Sequence, residues 1–172
     1  MYTFQKENSN FVRILSTRKP YAAAYIKGSD AYPSIAGRVL FFPAGERGVL
    51  VVTSVRGLPV SASDCATRVF AIHLHENGTC SGNERDPFKD TGGHYNPYGC
   101  PHPAHAGDLA PLFATAKGNA WNITLYDRFG LAEIVGRSVI IHRNPDDFTT
   151  QPSGSSGTKI ACGTVVKKVM HR

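Results

Sequence analysis

Six of the seven histidines fall between positions 73 and 142: His73, His75, His94, His102, His105 and His142, with His171 alone near the C-terminal end. A lone histidine is usually a satisfied polar residue, but this grouping offers nitrogen donors in a pattern that suits metal. His73 and His75 flank one leucine in an extended segment. Two imidazoles would then lie on one face, about 7 Å apart along the strand, which suits two adjacent ligands of one ion. His94, His102, His105 and Asp108 supply three nitrogens and a carboxylate oxygen, the donor set of a closed tetrahedral zinc site. His142 can add a further nitrogen, and imidazole favours copper and zinc. Seven donors exceed what one metal requires. Two four-coordinate sites that share one imidazole need seven, the number present.

Other histidine chemistries fit less well. His-Leu-His-Glu-Asn (73–77) lacks the helical HExxH spacing of a zinc protease. Cys100 is followed by Pro101 and His102, so the paired cysteines of a nucleobase deaminase are absent. Glu76 follows His75 directly, too early for a cupin, and reads as a surface charge at a strand end.

The elements that must position these donors read as strands. AAAYIKG (22–28), GRVLFFPAG (37–45), GVLVVTSVRG (48–57) and RVFAIHLHE (68–76) are rich in β-branched and aromatic residues and are separated by turn formers. In the fourth, alternation sends Phe70, Ile72 and Leu74 one way and Ala71, His73 and His75 the other. LAPLFA (109–114) and AWNITLYDR (120–128) read as a hairpin around AKGN, SVIIH (138–142) as a short buried strand, and TKIACGTVV (158–166) as the last strand. LAEIVG (131–136) offers one helical turn. Two stretches lack any period, 77–108 and 144–157. Loops of that length are uncommon unless functional or disordered, and the first holds three of the histidines. The expected fold is all-β: an eight-stranded antiparallel Greek-key barrel or sandwich with two long functional loops.

The chain has 172 residues, with 41% hydrophobic and 19% charged residues, a globular composition rather than a disordered one. No apolar run approaches the roughly 18 residues of a membrane span. The net charge of +6 sits at the ends. Residues 1–20 carry Lys6, Arg13, Arg18 and Lys19 against Glu7, and 167–172 carry Lys167, Lys168 and Arg172, while 21–166 balances 12 basic against 12 acidic residues. Nucleic-acid binders concentrate positive charge on the folded body, so neither nucleic acid nor membrane is expected as a partner. The organisation expected is a basic N-terminal tail or loosely docked segment (1–20), one domain (21–166) and a basic C-terminal tail (167–172). The first 20 residues do not read as a secretory signal, which favours the cytoplasm, with export as the alternative.

Five blocks, FAIHLHENGTC (70–80), GGHYNP (92–97), HPAHAGDL (102–109), VIIHRNPDD (139–147) and GTKIACG (157–163), together resemble the Cu,Zn superoxide dismutase family, bacterial-type members in particular. The resemblance spans about 37–166. It implies conversion of superoxide to dioxygen and hydrogen peroxide, with a copper ion cycling between two oxidation states beside a structural zinc ion. It assigns His73, His75, His94 and His142 to copper and His94, His102, His105 and Asp108 to zinc, with His94 shared and acting as the proton carrier. Asp146 would hold one ligand of each metal through its outer N–H, and Cys80 and Cys162 would form the family's disulfide. Gly92 and Gly93 would let backbone pass close to the metals. Lys159 stands where the family usually has an arginine that guides the anion; the charge is kept and the planar fork is lost. Cys65 and Cys100 are not family landmarks and are expected as free thiols, with a second disulfide, or Cys100 as a zinc ligand, as alternatives. Tyr95, Tyr98 and Phe88 read as loop packing and Trp121 as structural. The family occurs as monomers and dimers, so a homodimer and a copper donor enter as partners besides superoxide. Two other classes stay open on the residues: a copper-delivery module with little turnover, and a zinc-only structural domain.

Overall fold

Val, Ile, Phe and Ala at alternate positions give strands β1 (Ala22–Gly28), β2 (Ala36–Pro43) and β3 (Val49–Arg56) one face that must leave water. They form an antiparallel meander, with Val39 opposite Ala24 and Thr53, and a single 3-10 turn at Gly45–Arg47 joins β2 to β3. The computed structural model describes residues 11–168 apart from Asp64. Beyond β3 the chain adds β4 (Val69–Phe70), β5 (Ile72–His75), β6 (Leu112–Phe113), β7 (Ala120–Tyr126), β8 (Ser138–His142) and β9 (Lys159–Lys167).

Seven strands make one curled antiparallel sheet in the order β5-β8-β9-β1-β2-β3-β7. After β3 the chain crosses to the far edge at β5, returns to lay β7 beside β3, and crosses again to lay β8 beside β5, the over-and-back connectivity of a Greek key. The β4–β6 pair joins the two ends of this sheet, because β4 runs into β5 across Ala71 and β6 leads to the Ala114–Ala120 bridge beside β7. The expected strand at 68–76 is therefore split at Ala71. The expected 109–114/120–128 hairpin keeps a single bridge, since β7 spends its seven residues on β3 and β6 turns to β4. The interior is filled by Val39, Phe41, Val51, Ile72, Leu74, Leu112, Ile134 and Ile141, all essentially buried. Ile134 belongs to the short helix α2 (Leu131–Ile134), the one helical turn expected there.

Residues 11–17 form helix α1, whose Phe11, Ile14 and Leu15 pack on the sheet's outer face against Leu40, Phe42, Leu50, Val52 and Ile123. The described part of the 1–20 segment is thus a docked helix. Its apolar stripe is only three residues long, too short to show a period. At the other end, β9 runs one residue past the expected boundary, and the Lys168 N–H donates to the Tyr21 carbonyl at 2.8 Å. Residues 1–10 and 169–172 of the expected tails lie outside the described residues. Among the described residues no helix is long and apolar enough to cross a membrane.

Candidate metal centre

β5 is an edge strand, and an open edge leaves unpaired N–H and C=O groups. The 77–111 segment covers it. Tyr95 N–H donates to the Leu74 carbonyl at 2.8 Å, Leu74 N–H to the Gly107 carbonyl at 2.9 Å, and Glu76 N–H to the Gly93 carbonyl at 3.0 Å. These bonds set His94 beside His75 and Asp108 beside His73 as cross-strand neighbours. On the other side β8 pairs with β5 and ends at His142, where the ladder to β9 shifts register. His73 and His75 alternate with Ile72 and Leu74 as expected, yet both faces of β5 are buried because the loops close over the histidine face.

The structure brings all seven expected donors together. His73, His75, His94 and His142 form one group and His94, His102, His105 and Asp108 a second, with each group's donor atoms within 4.8 Å of one another. Hydrogen bonds show which ring nitrogens are spoken for. His73 Nε2 bonds to Asp146 Oδ2 at 2.9 Å and His102 Nε2 to Asp146 Oδ1 at 2.8 Å. His75 Nδ1–H donates to the Gly92 carbonyl at 2.9 Å, and His142 Nδ1 faces the Gly157 carbonyl and the Ser156 hydroxyl. The opposite nitrogens point inward: His75 Nε2 and His142 Nε2 lie 3.3 Å apart, and His94 Nδ1 lies 3.4 Å from His105 Nδ1 and 2.8 Å from Asp108 Oδ1. His73 Nδ1, His94 Nε2 and His102 Nδ1 are buried with no hydrogen-bond partner. His102 Nδ1 is 3.1 Å from Asp108 Oδ2 but out of line for a hydrogen bond. Burying such nitrogens unpaired costs about 1–3 kcal/mol each, which a cation bound between them would offset. Imidazole in one group and three imidazoles with a carboxylate in the other fit copper and zinc.

The electrostatics favour the metal-ready protonation states. Burial lowers His73 to about 4 against the opposing pull of Asp146, and lowers His142 to about 3 with help from His73. Burial and then His142 push His75 well below the usual imidazole range. These rings are neutral at pH 7 and can offer lone pairs. Burial alone would raise Asp146, but its bonds with His73, the Phe148 N–H and His102 hold it at about 2. Asp108 is likewise lowered, its burial outweighed by His94, His105 and His102.

Supporting residues lie where the chain doubles back. A Cβ on Gly154 would strike the Asp146 carboxylate, and Gly154 sits at φ +64°, so both space and backbone call for glycine. Of the two glycines before His94, only Gly92 is conformationally special. Its φ of +73° aims its carbonyl at His75, while Gly93 donates its N–H to Glu76 Oε2 at 3.1 Å. Cys80 and Cys162 are joined, tying the first loop to β9, and Cys65 and Cys100 are free. Phe88 packs on Ile140 and Cys162 and Tyr95 on the main core, whereas Tyr98 and Trp121 are exposed, at 72% and 65%. Lys159 lines an open cleft with His75, His94 and His142, and its ammonium is paired with Asp86 at 3.2 Å. Asp86 was not singled out by sequence reasoning; an acid among turn residues carries no signal of its partner 73 positions away. The Gly92 and Gly157 carbonyls that orient His75 and His142 were also missed, since backbone acceptors have no sequence signature.

A family profile described as "Copper/zinc superoxide dismutase (SODC)" matches residues 35–165. "Superoxide dismutase [Cu-Zn] 2" of Aquifex aeolicus is 33% identical over 133 residues, covering 69% of this chain and 72% of that protein. "Superoxide dismutase [Cu-Zn]" of Caulobacter vibrioides is 30% identical over 161 residues, covering 84% of each. The solved "Cu/Zn superoxide dismutase from Brucella abortus" superposes with a TM-score of 0.69 at 25% identity, over 83% of this chain and 98% of that one. A Greek-key barrel carrying two donor groups that meet at one imidazole, with this breadth of similarity, has one consistent reading: the chain belongs to the copper/zinc superoxide dismutases, oxidoreductases that use copper and zinc to convert superoxide to dioxygen and hydrogen peroxide.

Proposed function

We propose that His73, His75, His94 and His142 hold copper and that His94, His102, His105 and Asp108 hold zinc, with His94 common to both. The observation that carries this division is the pair of nitrogens on His94: Nδ1 faces Asp108 and His105, while Nε2 is buried without a hydrogen-bond partner. Bound copper supplies the one-electron chemistry, taking an electron from one superoxide and giving it to the next. Two superoxides and two protons become one dioxygen and one hydrogen peroxide. The chain's own residues manage protons and position. His94 accepts a proton at Nε2 in the half-cycle that releases dioxygen and gives it up in the half-cycle that forms peroxide. Asp146, bonded to Nε2 of both His73 and His102, keeps the proton on the outer nitrogen of each ring, so Nδ1 stays free to bind metal. Zinc held by His94, His102, His105 and Asp108 would play a structural part, fixing the His94 ring and setting its basicity. Lys159 lines the cleft, where a cation draws an anion inward.

The test is copper and zinc content measured alongside superoxide consumption, for the wild type and His94→Ala. One copper, one zinc and activity are expected for the wild type. His94→Ala should retain three copper imidazoles and lose most activity. At most one metal per chain in wild type reconstituted with both ions overturns the shared-imidazole design, and two metals without turnover favours a metal-delivery module. A second copy of the chain and a copper donor are further partner proposals. The exposed Phe113, Trp121 and Leu125 support the first, and sedimentation velocity tests it.

A further inference from the structure

Lys159 opens β9 and points its ammonium across the cleft wall, where its charge is felt at His75 and His142. An ammonium has three N–H donors. Here they face Asp86 Oδ2 at 3.2 Å, the Phe88 carbonyl at 3.0 Å and the Gly92 carbonyl at 3.5 Å. Two carbonyls accept from the ammonium, and its positive charge has a carboxylate against it. The carboxylate is held in place from its own side. Asp86 Oδ1 accepts the Phe88 N–H at 3.1 Å, the Asp86 N–H donates to Asn83 Oδ1 at 3.0 Å, and the Asp86 carbonyl accepts the N–H groups of Asn83 and Lys89. A Cβ at Gly82 would strike that carbonyl, so the turn closes only with glycine there. The Cys80–Cys162 bond fastens this turn to β9 close to Lys159. The Lys159 side chain, which lines the cleft, is 14% exposed, and that of Asp86, behind it, is 36% exposed.

We propose that Asp86 is a positioning residue that holds the Lys159 ammonium in an ion pair and so restrains the attraction of superoxide to the copper cleft. This inference rests on the functional reading above. Seen from beyond a Debye length, about 10 Å at 0.1 M salt, a close pair of opposite charges has almost no net field. Lys159 then adds little to long-range steering while Asp86 faces it. At short range an arriving anion must compete with the carboxylate for the ammonium. Neutralising Asp86 exposes one uncompensated positive charge beside the cleft. Asparagine keeps the Oδ1 acceptor for the Phe88 N–H, so the turn survives the change.

The experiment compares wild type, Asp86→Asn, Lys159→Gln, the double variant, and Glu84→Gln as a charge control in the same loop, all loaded with copper and zinc. The first readout is affinity for azide, a stable monovalent anion, by optical titration; the second is kcat/KM for superoxide against ionic strength. Asp86→Asn should bind azide about threefold more tightly and gain about threefold in kcat/KM at low salt, a fraction of the 10- to 1000-fold that a whole steering field supplies. The gain should fade as salt rises, and the double variant should show none of it relative to Lys159→Gln. Glu84→Gln should stay within about 1.5-fold of wild type, because screening weakens a charge that does not touch Lys159. Azide affinity and salt dependence equal to wild type in Asp86→Asn overturn the inference, as does a gain that persists without Lys159. A fully loaded wild type that does not dismute superoxide overturns the functional reading instead.

Discussion

Asp146→Asn tests the coupling between the two metal groups most directly. The wild-type carboxylate accepts from His73 Nε2 at 2.9 Å through one oxygen and from His102 Nε2 at 2.8 Å through the other. An asparagine has the same shape, but one oxygen becomes an NH2 group. Wherever that group points, it faces an imidazole N–H, two donors with no acceptor. The ring can relieve the conflict only by moving its proton to Nδ1, the atom that faces the donor group and is now buried without a partner. A protonated Nδ1 cannot bind metal, so one of the two groups loses a ligand in its ready state. Outer partners of metal-bound histidines are worth about 10–100-fold in affinity, or roughly 1.4–2.7 kcal/mol. The measurement is copper and zinc affinity by competition with chelators, alongside the far-ultraviolet spectrum to confirm the fold. A drop of at least about tenfold is expected for one metal. Asp146 Oδ1 also accepts the Phe148 N–H at 2.7 Å, which keeps the amide oxygen on the His102 side, so the NH2 faces His73 and copper should show the loss. Both affinities within twofold of wild type would refute the reasoning, because the outer bond would then not be setting the tautomer.

Three further outcomes follow from other parts of the structure. The Cys80–Cys162 bond spans 82 residues, worth about 4.5 kcal/mol in the chain-entropy account, so Cys162→Ser should lower Tm by roughly 10–15 °C in calorimetry, and Cys65→Ser should barely move it. Metal-free protein should lose stability as pH falls from 6.5 toward 4. His73 and His142 are held neutral in the fold with pKa values near 4 and 3, so between the unfolded and folded values the unfolded chain binds more protons. His73 alone accounts for roughly 3 kcal/mol, and a Tm that stays flat from pH 7 to about 4.5 would contradict this. Ile14→Ala empties the buried centre of the α1 contact and should cost roughly 2 kcal/mol by urea titration, while specific activity per bound copper stays within twofold.

The sequence alone determined the donor chemistry and most of the strand segments along the chain. His73-Leu-His75 declares two ligands on one strand face because side chains alternate with a period of two, and residue type limits what imidazoles and a carboxylate can bind. The strand texts at 22–28, 36–43 and 49–56 were legible for the same reason: their apolar positions repeat locally. Helix α1 was not, because Phe11, Ile14 and Leu15 make a stripe of three residues whose meaning depends on the apolar outer face of β2, β3 and β7. The split of 68–76 at Ala71 comes from the closure of the barrel, a demand of the whole sheet and not of those nine residues. Only the tertiary structure decided how 77–111 lies along the edge of β5, since those bonds join backbone groups that look alike at every position. The same holds for the ion pair of Lys159 with Asp86. Its energy depends on a distance of a few ångströms across 73 residues of chain, and no local pattern records such a distance.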